Sequence, residues 1–260
     1  MQIRFMSKQT WLADEISVII PAYNEENNIS DVIEGALEVL KKNFAKFEMV
    51  VLNDGSTDKT GPIIEDFACR EPVIRSIHKN KNQGIAASIN ELYDLAKFQL
   101  IVLLAGDGQW HPKEIVPLVE KMNRTGCDIV VSRRISKQYG FFRKFISWFF
   151  NFCIRILYRF DPFDAGSVKL VRKEITDAIR LETCSAFSEA ERLIKAHWLG
   201  KQIEMVETVH LERKSGRASG AVPTEIRRAV KDLGWFLFKY GLTPRRYLGK
   251  STSTTPNSAH

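Results

Sequence analysis

Short apolar runs alternating with amphipathic stretches constrain this chain more than any other feature. Residues 16–20, 47–52, 72–77, 100–104 and 128–131 are runs rich in Ile, Val and Leu, each closed by a turn-forming or polar segment. After the first, Val32, Ile33, Ala36, Leu37 and Leu40 repeat at the period of a helix with one face on a sheet, over 29–44. Ile63, Ile64 and Phe67 mark a second helix, with Thr57 or Asp58 as its cap. Ile85, Ile89, Leu92 and Leu95 mark a third. Strands alternating with helices predict βαβ units, and therefore an α/β fold with a parallel sheet.

The run at 100–104 ends in Ala105-Gly106-Asp107-Gly108-Gln109-Trp110-His111-Pro112. A buried parallel strand here delivers Asp107 to its carboxyl end, the edge where open α/β sheets bind ligands. A carboxylate and an amide oxygen two residues apart suit a hard cation such as Mg²⁺ or Mn²⁺, whose remaining ligands are commonly phosphate oxygens. The competing reading is a loop Asp that caps the next helix. Pro112 suits the first position of a helix through 113–119. His111, just before it, has a turn role open beside any chemical one.

Charge is unevenly divided. Residues 131–260 carry 24 Lys/Arg against 12 Asp/Glu, and residues 1–130 carry 14 against 19, for a net charge of +7. A basic half suits phosphate ligands or an anionic membrane surface, or is simply a solvated face. Its cations ride on apolar helices, which argues against a nucleic-acid groove. Cys69, Cys127, Cys153 and Cys184 lie far apart without a CxxC pair and read as reduced core thiols. No signal-peptide pattern is evident, and no apolar run reaches the roughly 20 residues of a membrane span. The chain is thus expected in the cytoplasm or peripherally on the cytosolic face of a membrane.

Residues 141–160 mix Phe145, Trp148, Phe149, Phe152, Ile156 and Tyr158 with Arg143, Lys144, Arg155 and Arg159. Residues 224–240 repeat the pattern with Ile226, Val230, Leu233, Trp235, Phe236 and Phe238 among Arg227, Arg228, Lys231 and Lys239. Such helices lie flat at a membrane interface, or pack in a core with snorkelling arginines, or form a subunit contact. The domain plan is an irregular 1–14, a main domain over 15–220 divided at 132/133, an amphipathic C-terminal helix within 221–249, and a disordered Ser/Thr/Asn-rich 250–260.

Several of these loops together resemble the family 2 inverting glycosyltransferases of the GT-A fold. Ile16-Ser17-Val18-Ile19-Ile20-Pro21-Ala22-Tyr23-Asn24-Glu25-Glu26 is similar to that family's opening strand and nucleotide loop. Val51-Leu52-Asn53-Asp54-Gly55-Ser56-Thr57-Asp58-Lys59-Thr60 is similar to its second nucleotide loop. Within the family, the resemblance is to the branch of dolichyl-phosphate mannosyltransferase and the bacterial polyprenyl-phosphate glycosyltransferases. The stretch from Arg143 through Ser147 to Asn151 resembles the branch's acceptor helix, R-x-x-x-S-x-x-x-N. Asp164-Ala165-Gly166-Ser167-Val168-Lys169-Leu170 resembles the strand after it. Arg213-Lys214-Ser215-Gly216-Arg217-Ala218-Ser219 is similar to its R-x-x-G-x-S stretch, with the serine one place later.

The resemblance implies a fold and a site. The fold would be of GT-A type, a Rossmann-like, mainly parallel sheet flanked by helices. Pro21, Ala22, Tyr23, Glu25, Asp54 and Gly84 would hold the nucleotide sugar together with Asp107. Asp107 and Gln109 would hold Mg²⁺ or Mn²⁺ on its diphosphate, and Arg213 would reach that diphosphate. Arg134, Arg143 and Ser147 would grip an acceptor phosphate. Glu191 would be a late acidic residue of the site, with a surface Glu as the alternative. The implied activity is metal-dependent inverting transfer of a sugar from a UDP- or GDP-linked donor to a polyprenyl phosphate at a membrane. A membrane-anchoring partner protein or a homo-oligomer stays open as an aid. Ala105 stands where the family has the first Asp of D-x-D. That departure keeps two rivals open: transfer to a saccharide hydroxyl, and a non-catalytic relative that binds nucleotide sugar. Met205-Val206-Glu207 also departs from the family, in a place expected to be structural only.

Overall fold

The computed structural model describes residues 11–135, 141–159, 166–209, 211, 223–242 and 247, without the side chains of 14, 141–147, 149, 150 and 223. The chain runs β1 (Ala13–Ala22), α1 (Ile29–Asn43), β2 (Phe44–Asn53), α2 (Thr60–Arg70), β3 (Ile74–His78), α3 (Ile85–Leu95) and β4 (Leu100–Leu103). A 3₁₀ turn (Pro112–Glu114) then leads into α4 (Ile115–Thr125), β5 (Ile129–Arg134) and α5 (Phe141–Tyr158). The remainder is β6 (Lys169–Arg172), α6 (Lys173–Ala178), α7 (Ser188–Trp198), β7 (Ile203–Thr208) and α8 (Pro223–Tyr240).

The strands form one sheet in the order β3-β2-β1-β4-β6-β5-β7. All pairs are parallel except those of β6, which runs antiparallel between β4 and β5. Strand alternation divides the core into two layers. Val18, Ile20, Val51, Val102 and Val130 belong to the layer with α1, α2 and α4. Ile19, Val50, Leu52, Ile101, Leu103, Ile129 and Val131 belong to the layer with α3, α7 and α8. Helix α1 buries Ile29, Val32, Ile33, Ala36, Leu37 and Leu40, the stripe its sequence period predicts.

Several features go beyond the sequence reading. The reversed β6 is a tertiary choice: it enters the sheet between β4 and β5, pairing with both. Strand β7 carries no local signal, because an edge strand with Glu204 partly buried and Glu207 exposed has no clean period of two. Helix α8 packs into the second core layer. Its Phe236 is fully buried, stacks on Trp198 at 5.6 Å, and meets Tyr158 and Phe187 edge-on. The thiols correct an expectation: Cys127 is buried and Cys153 half-buried, while Cys69 and Cys184 are exposed. The expected tail at 250–260 lies outside the described residues.

Candidate active site

Because β1, β2, β3, β4, β5 and β7 all run one way, their carboxyl ends share one edge. Antiparallel β6 starts at that edge, so Ser167 and Val168 join it. Pro21, Ala22, Asp54, Gly84, Asp107, Gln109 and Arg134 are therefore assembled along one rim from segments far apart in sequence.

The loops after β1 and β2 are bonded into a unit. The Asp54 N–H donates to the Ala22 carbonyl at 2.9 Å. The Asn24 N–H donates to Ser56 Oγ at 2.9 Å, and the Thr57 N–H donates in return to Asn24 Oδ1 at 2.9 Å. The Glu25 N–H donates to Thr60 Oγ1 at 2.8 Å. Glu25 itself is buried, and its carboxylate accepts from Asn28 Nδ2 at 2.6 Å. Tyr23 stands exposed at the tip. Neither Thr57 nor Asp58 is the cap of α2, whose N-cap position falls to Lys59. The Asp58 carboxylate, one residue earlier, instead ties the turn together, accepting the Thr60 N–H at 2.9 Å and the Glu26 N–H at 3.2 Å. Burial works against its charge, but these bonds hold its carboxyl below the usual carboxylate range.

Asp54 is buried and organises the loop after β3. One carboxylate oxygen accepts the Gln83 N–H and the other the Gly84 N–H, both at 2.9 Å. Gly84, at φ +94°, lies in the region that favours glycine. The sequence reading misses Gly55. At φ +69°, a Cβ on it would meet the backbone of Lys81 and Asn82 at 2.7 Å, so the two loops touch through this glycine. Its signal is the Asn53-Asp54-Gly55 turn itself.

Gly106 plays the corresponding part after β4. A Cβ there would lie 2.8 Å from the Pro21 carbonyl oxygen, so only glycine lets this loop cross the end of β1. Asp107 follows, partly exposed, its Oδ1 accepting the Gln109 N–H at 3.1 Å. Ala105 packs its small side chain against the first core layer. His111 takes the turn role: its Nδ1 accepts the Lys113 N–H at 3.1 Å at the start of the 3₁₀ turn. The guanidinium of Arg134, at the end of β5, lies 5.7 Å from the ring centroid of buried Trp110. Trp110 thus links the Asp107 loop to a candidate acceptor residue, a role the sequence does not suggest.

The remaining candidates are Arg143, Ser147, Arg213 and Glu191. Arg143 and Ser147 are four apart in α5 and share one helix face, though their side chains are not described. Arg213 lies outside the described residues. Glu191 is fully buried, so it is not the surface residue of the alternative reading. Its carboxylate accepts the N–H groups of Glu182 and Thr183 at 3.1 and 3.0 Å and the Thr183 hydroxyl at 2.6 Å, and pairs with Lys195 at 2.6 Å. Those bonds hold the loop before α7. An open cleft of about 520 Å³ lined by Asn53, Ser56, Asp58, Gly61, Pro62, Glu65 and His78 lies beside the second loop, on the α2 side.

The residues present suit a hard cation shared with phosphate. Among the described residues no three His, Cys, Asp or Glu side chains gather. Asp107 would bring one carboxylate and Gln109 an amide oxygen, leaving most positions to diphosphate oxygens and water, as such ions accept.

Loops gathered at the carboxyl edge of a mainly parallel sheet define an α/β protein of the class that binds ligands at that edge. Comparison with known proteins narrows the class. The chain belongs to glycosyl transferase family 2, whose model matches residues 17–180. It is 27% identical over 243 residues to a dodecaprenyl-phosphate galacturonate synthase of Rhizobium johnstonii, covering 90% of this chain and 70% of that protein. It is 30% identical over 204 residues to an undecaprenyl-phosphate 4-deoxy-4-formamido-L-arabinose transferase of Photorhabdus laumondii, covering 78% of this chain and 62% of that protein. The chain therefore spans roughly two thirds of the length of these curated relatives. Among solved structures, glucosyl-3-phosphoglycerate synthase of Mycobacterium tuberculosis shares the GT-A fold at a TM-score of 0.69 and 18% identity, covering 85% of this chain and 79% of that one. A second structure of that synthase, which contains Mn²⁺, UDP and glucosyl-3-phosphoglycerate, matches at a TM-score of 0.66 and 19% identity, covering 85% of this chain and 78% of that one.

Proposed function

We propose that this glycosyltransferase moves a sugar from a nucleotide sugar to a polyprenyl phosphate, with inversion, at the surface of a membrane. The observation that carries the reading is the junction of Gly106 on the Pro21 carbonyl, which sets Asp107 beside the loops after β1 and β2. The names of the relatives support the acceptor class.

In this reading Pro21, Ala22, Tyr23, Glu25, Asp54 and Gly84 position the nucleoside. Asp107 and Gln109 hold Mg²⁺ or Mn²⁺, which when bound neutralises charge on the leaving diphosphate. Arg213 adds a second positive group there. Arg134, Arg143 and Ser147 orient the acceptor phosphate, for which arginine has matching bidentate geometry. One acceptor oxygen bonds to the anomeric carbon as the bond to the diphosphate breaks on the opposite face. A phosphate monoester is already ionised near neutral pH, so positioning replaces a general base. Ala105 favours the second reading, a relative that binds donor without turnover, because it removes one carboxylate from the cation's neighbourhood.

A donor screen tests this. Purified chain, Mg²⁺ or Mn²⁺ and a short polyprenyl phosphate are incubated with UDP- and GDP-sugars, and released nucleotide and glycolipid are measured. Lipid-dependent release from one donor is expected. Release that needs a saccharide acceptor instead would overturn the acceptor assignment, and donor binding without any transfer would favour the non-catalytic relative.

A further inference from the structure

We propose that the outward stripes of α5 and α8 dock the protein on an anionic lipid bilayer. This rests on and deepens the acceptor reading, because a lipid-borne acceptor is met at a surface. In each helix the described side chains divide between core and solvent. In α5, Ile154 and Tyr158 are buried on one side. At about 100° per residue, Trp148, Phe152 and Ile156 fall on another side. Their exposures are 58%, 43% and 62%, and exposed Arg155 lies among them. The Trp148 and Phe152 rings stack at 5.3 Å, so they present one continuous aromatic surface. In α8, Ala229, Phe236 and Tyr240 are buried, while Val230, Trp235 and Phe238 are exposed on the opposite side with Arg227 and Lys231. Phe238 is 84% exposed. The helices are neighbours, with Tyr158 and Phe236 in edge contact at 5.9 Å.

Charge identifies the occupant. The sequence of α5 contains no acidic residue. The acids of α8 lie off its stripe: Glu225 pairs with Arg228 at 2.7 Å, and Asp232 is half-buried on the flank. Aromatic side chains interleaved with cations, and segregated from acids, match the boundary between headgroups and acyl chains in an anionic membrane. A second copy of the chain would set like charges against each other. Among the described residues no helix is long and apolar enough to cross a membrane.

The test uses vesicles of phosphatidylcholine, alone or mixed with phosphatidylglycerol, with neither donor nor polyprenyl phosphate present. Its outcome is therefore independent of the catalytic reading. The chain is expected to co-sediment with the mixed vesicles, to be released by salt, and to show quenching of Trp fluorescence by brominated acyl chains. Phe152→Ser with Phe238→Ser is expected to lower partitioning at least about tenfold, and Arg227→Gln or Lys231→Gln about fivefold each. Turnover of a short, water-soluble polyprenyl phosphate should be unchanged in the double Phe variant. No partitioning of the wild-type chain, or no quenching on vesicles, would overturn the proposal. So would lipid-free dimerisation abolished by the same substitutions, which would assign the face to a second copy.

Discussion

At the scale of single residues, Asp54 shows how a buried carboxylate can fix a neighbouring loop at the edge of the sheet. Both oxygens accept backbone N–H groups of the loop after β3, so its first task is to fix residues 83 and 84. The sequence marks Asp54 as a donor-site residue, but contact with base or ribose is inferred from residue type alone. Its loop partner Gly84 is distant in sequence and cannot be read from local pattern. Asp54→Asn places an NH₂ against one of those N–H groups. Loss of a charge-assisted bond and an unsatisfied buried donor predict a cost of about 1–3 kcal/mol. Donor KM should therefore rise roughly 5- to 100-fold with a smaller change in kcat, as steady-state nucleotide release would show. An unchanged KM would separate Asp54 from the donor. Gly55→Ala is argued from sterics: a Cβ 2.7 Å from the neighbouring backbone cannot be accommodated without movement. At positive φ this should cost about 1–3 kcal/mol, seen as a lower thermal midpoint.

At the scale of elements, α8 separates what composition reveals from what it does not. Its aromatic and cationic character is plain in sequence, but both faces carry aromatic residues, so the core face is found only from packing. Phe236→Ala empties a site bounded by Trp198, Tyr158, Phe187 and Tyr240. It is expected to cost about 3–5 kcal/mol in chemical denaturation. Glu182 fastens the same helix, accepting from Lys239 Nζ at 2.5 Å and from the Tyr240 hydroxyl at 2.8 Å. Burial opposes its charge, yet these bonds hold its carboxyl below the ordinary 4.5. A depressed carboxylate stabilises the fold above its unfolded pKa, and that contribution is lost as pH falls through the folded value. Stability should therefore decline in acid below about 4.5, and Glu182→Gln should flatten that decline in a pH series of denaturation curves. The strand–helix alternation through β5 is legible because each element carries its own period. The reversal of β6 and the existence of β7 are not, since both depend on neighbours in the sheet.

At the scale of the whole molecule, the parallel sheet gathers the loops after β1, β2 and β3, the Asp107 loop and Arg134 onto one edge, while α5 and α8 turn cationic aromatic faces outward. The motifs around Asp54 and Asp107 are local and so are visible in sequence. Their meeting through Gly55 and Gly106 depends on strand order and is not. Asp107 is the residue on which the proposed sugar transfer to a lipid phosphate depends most, with Ala105 at the position of the first Asp of D-x-D. The most direct measurement compares wild type, Asp107→Ala and Ala105→Asp for nucleotide release that depends on polyprenyl phosphate. Turnover by the wild type is expected, with a loss of at least about 100-fold in Asp107→Ala. Ala105→Asp should reach half-activity at an equal or lower Mn²⁺ concentration. Turnover that survives Asp107→Ala, or that appears only in Ala105→Asp, would contradict this role.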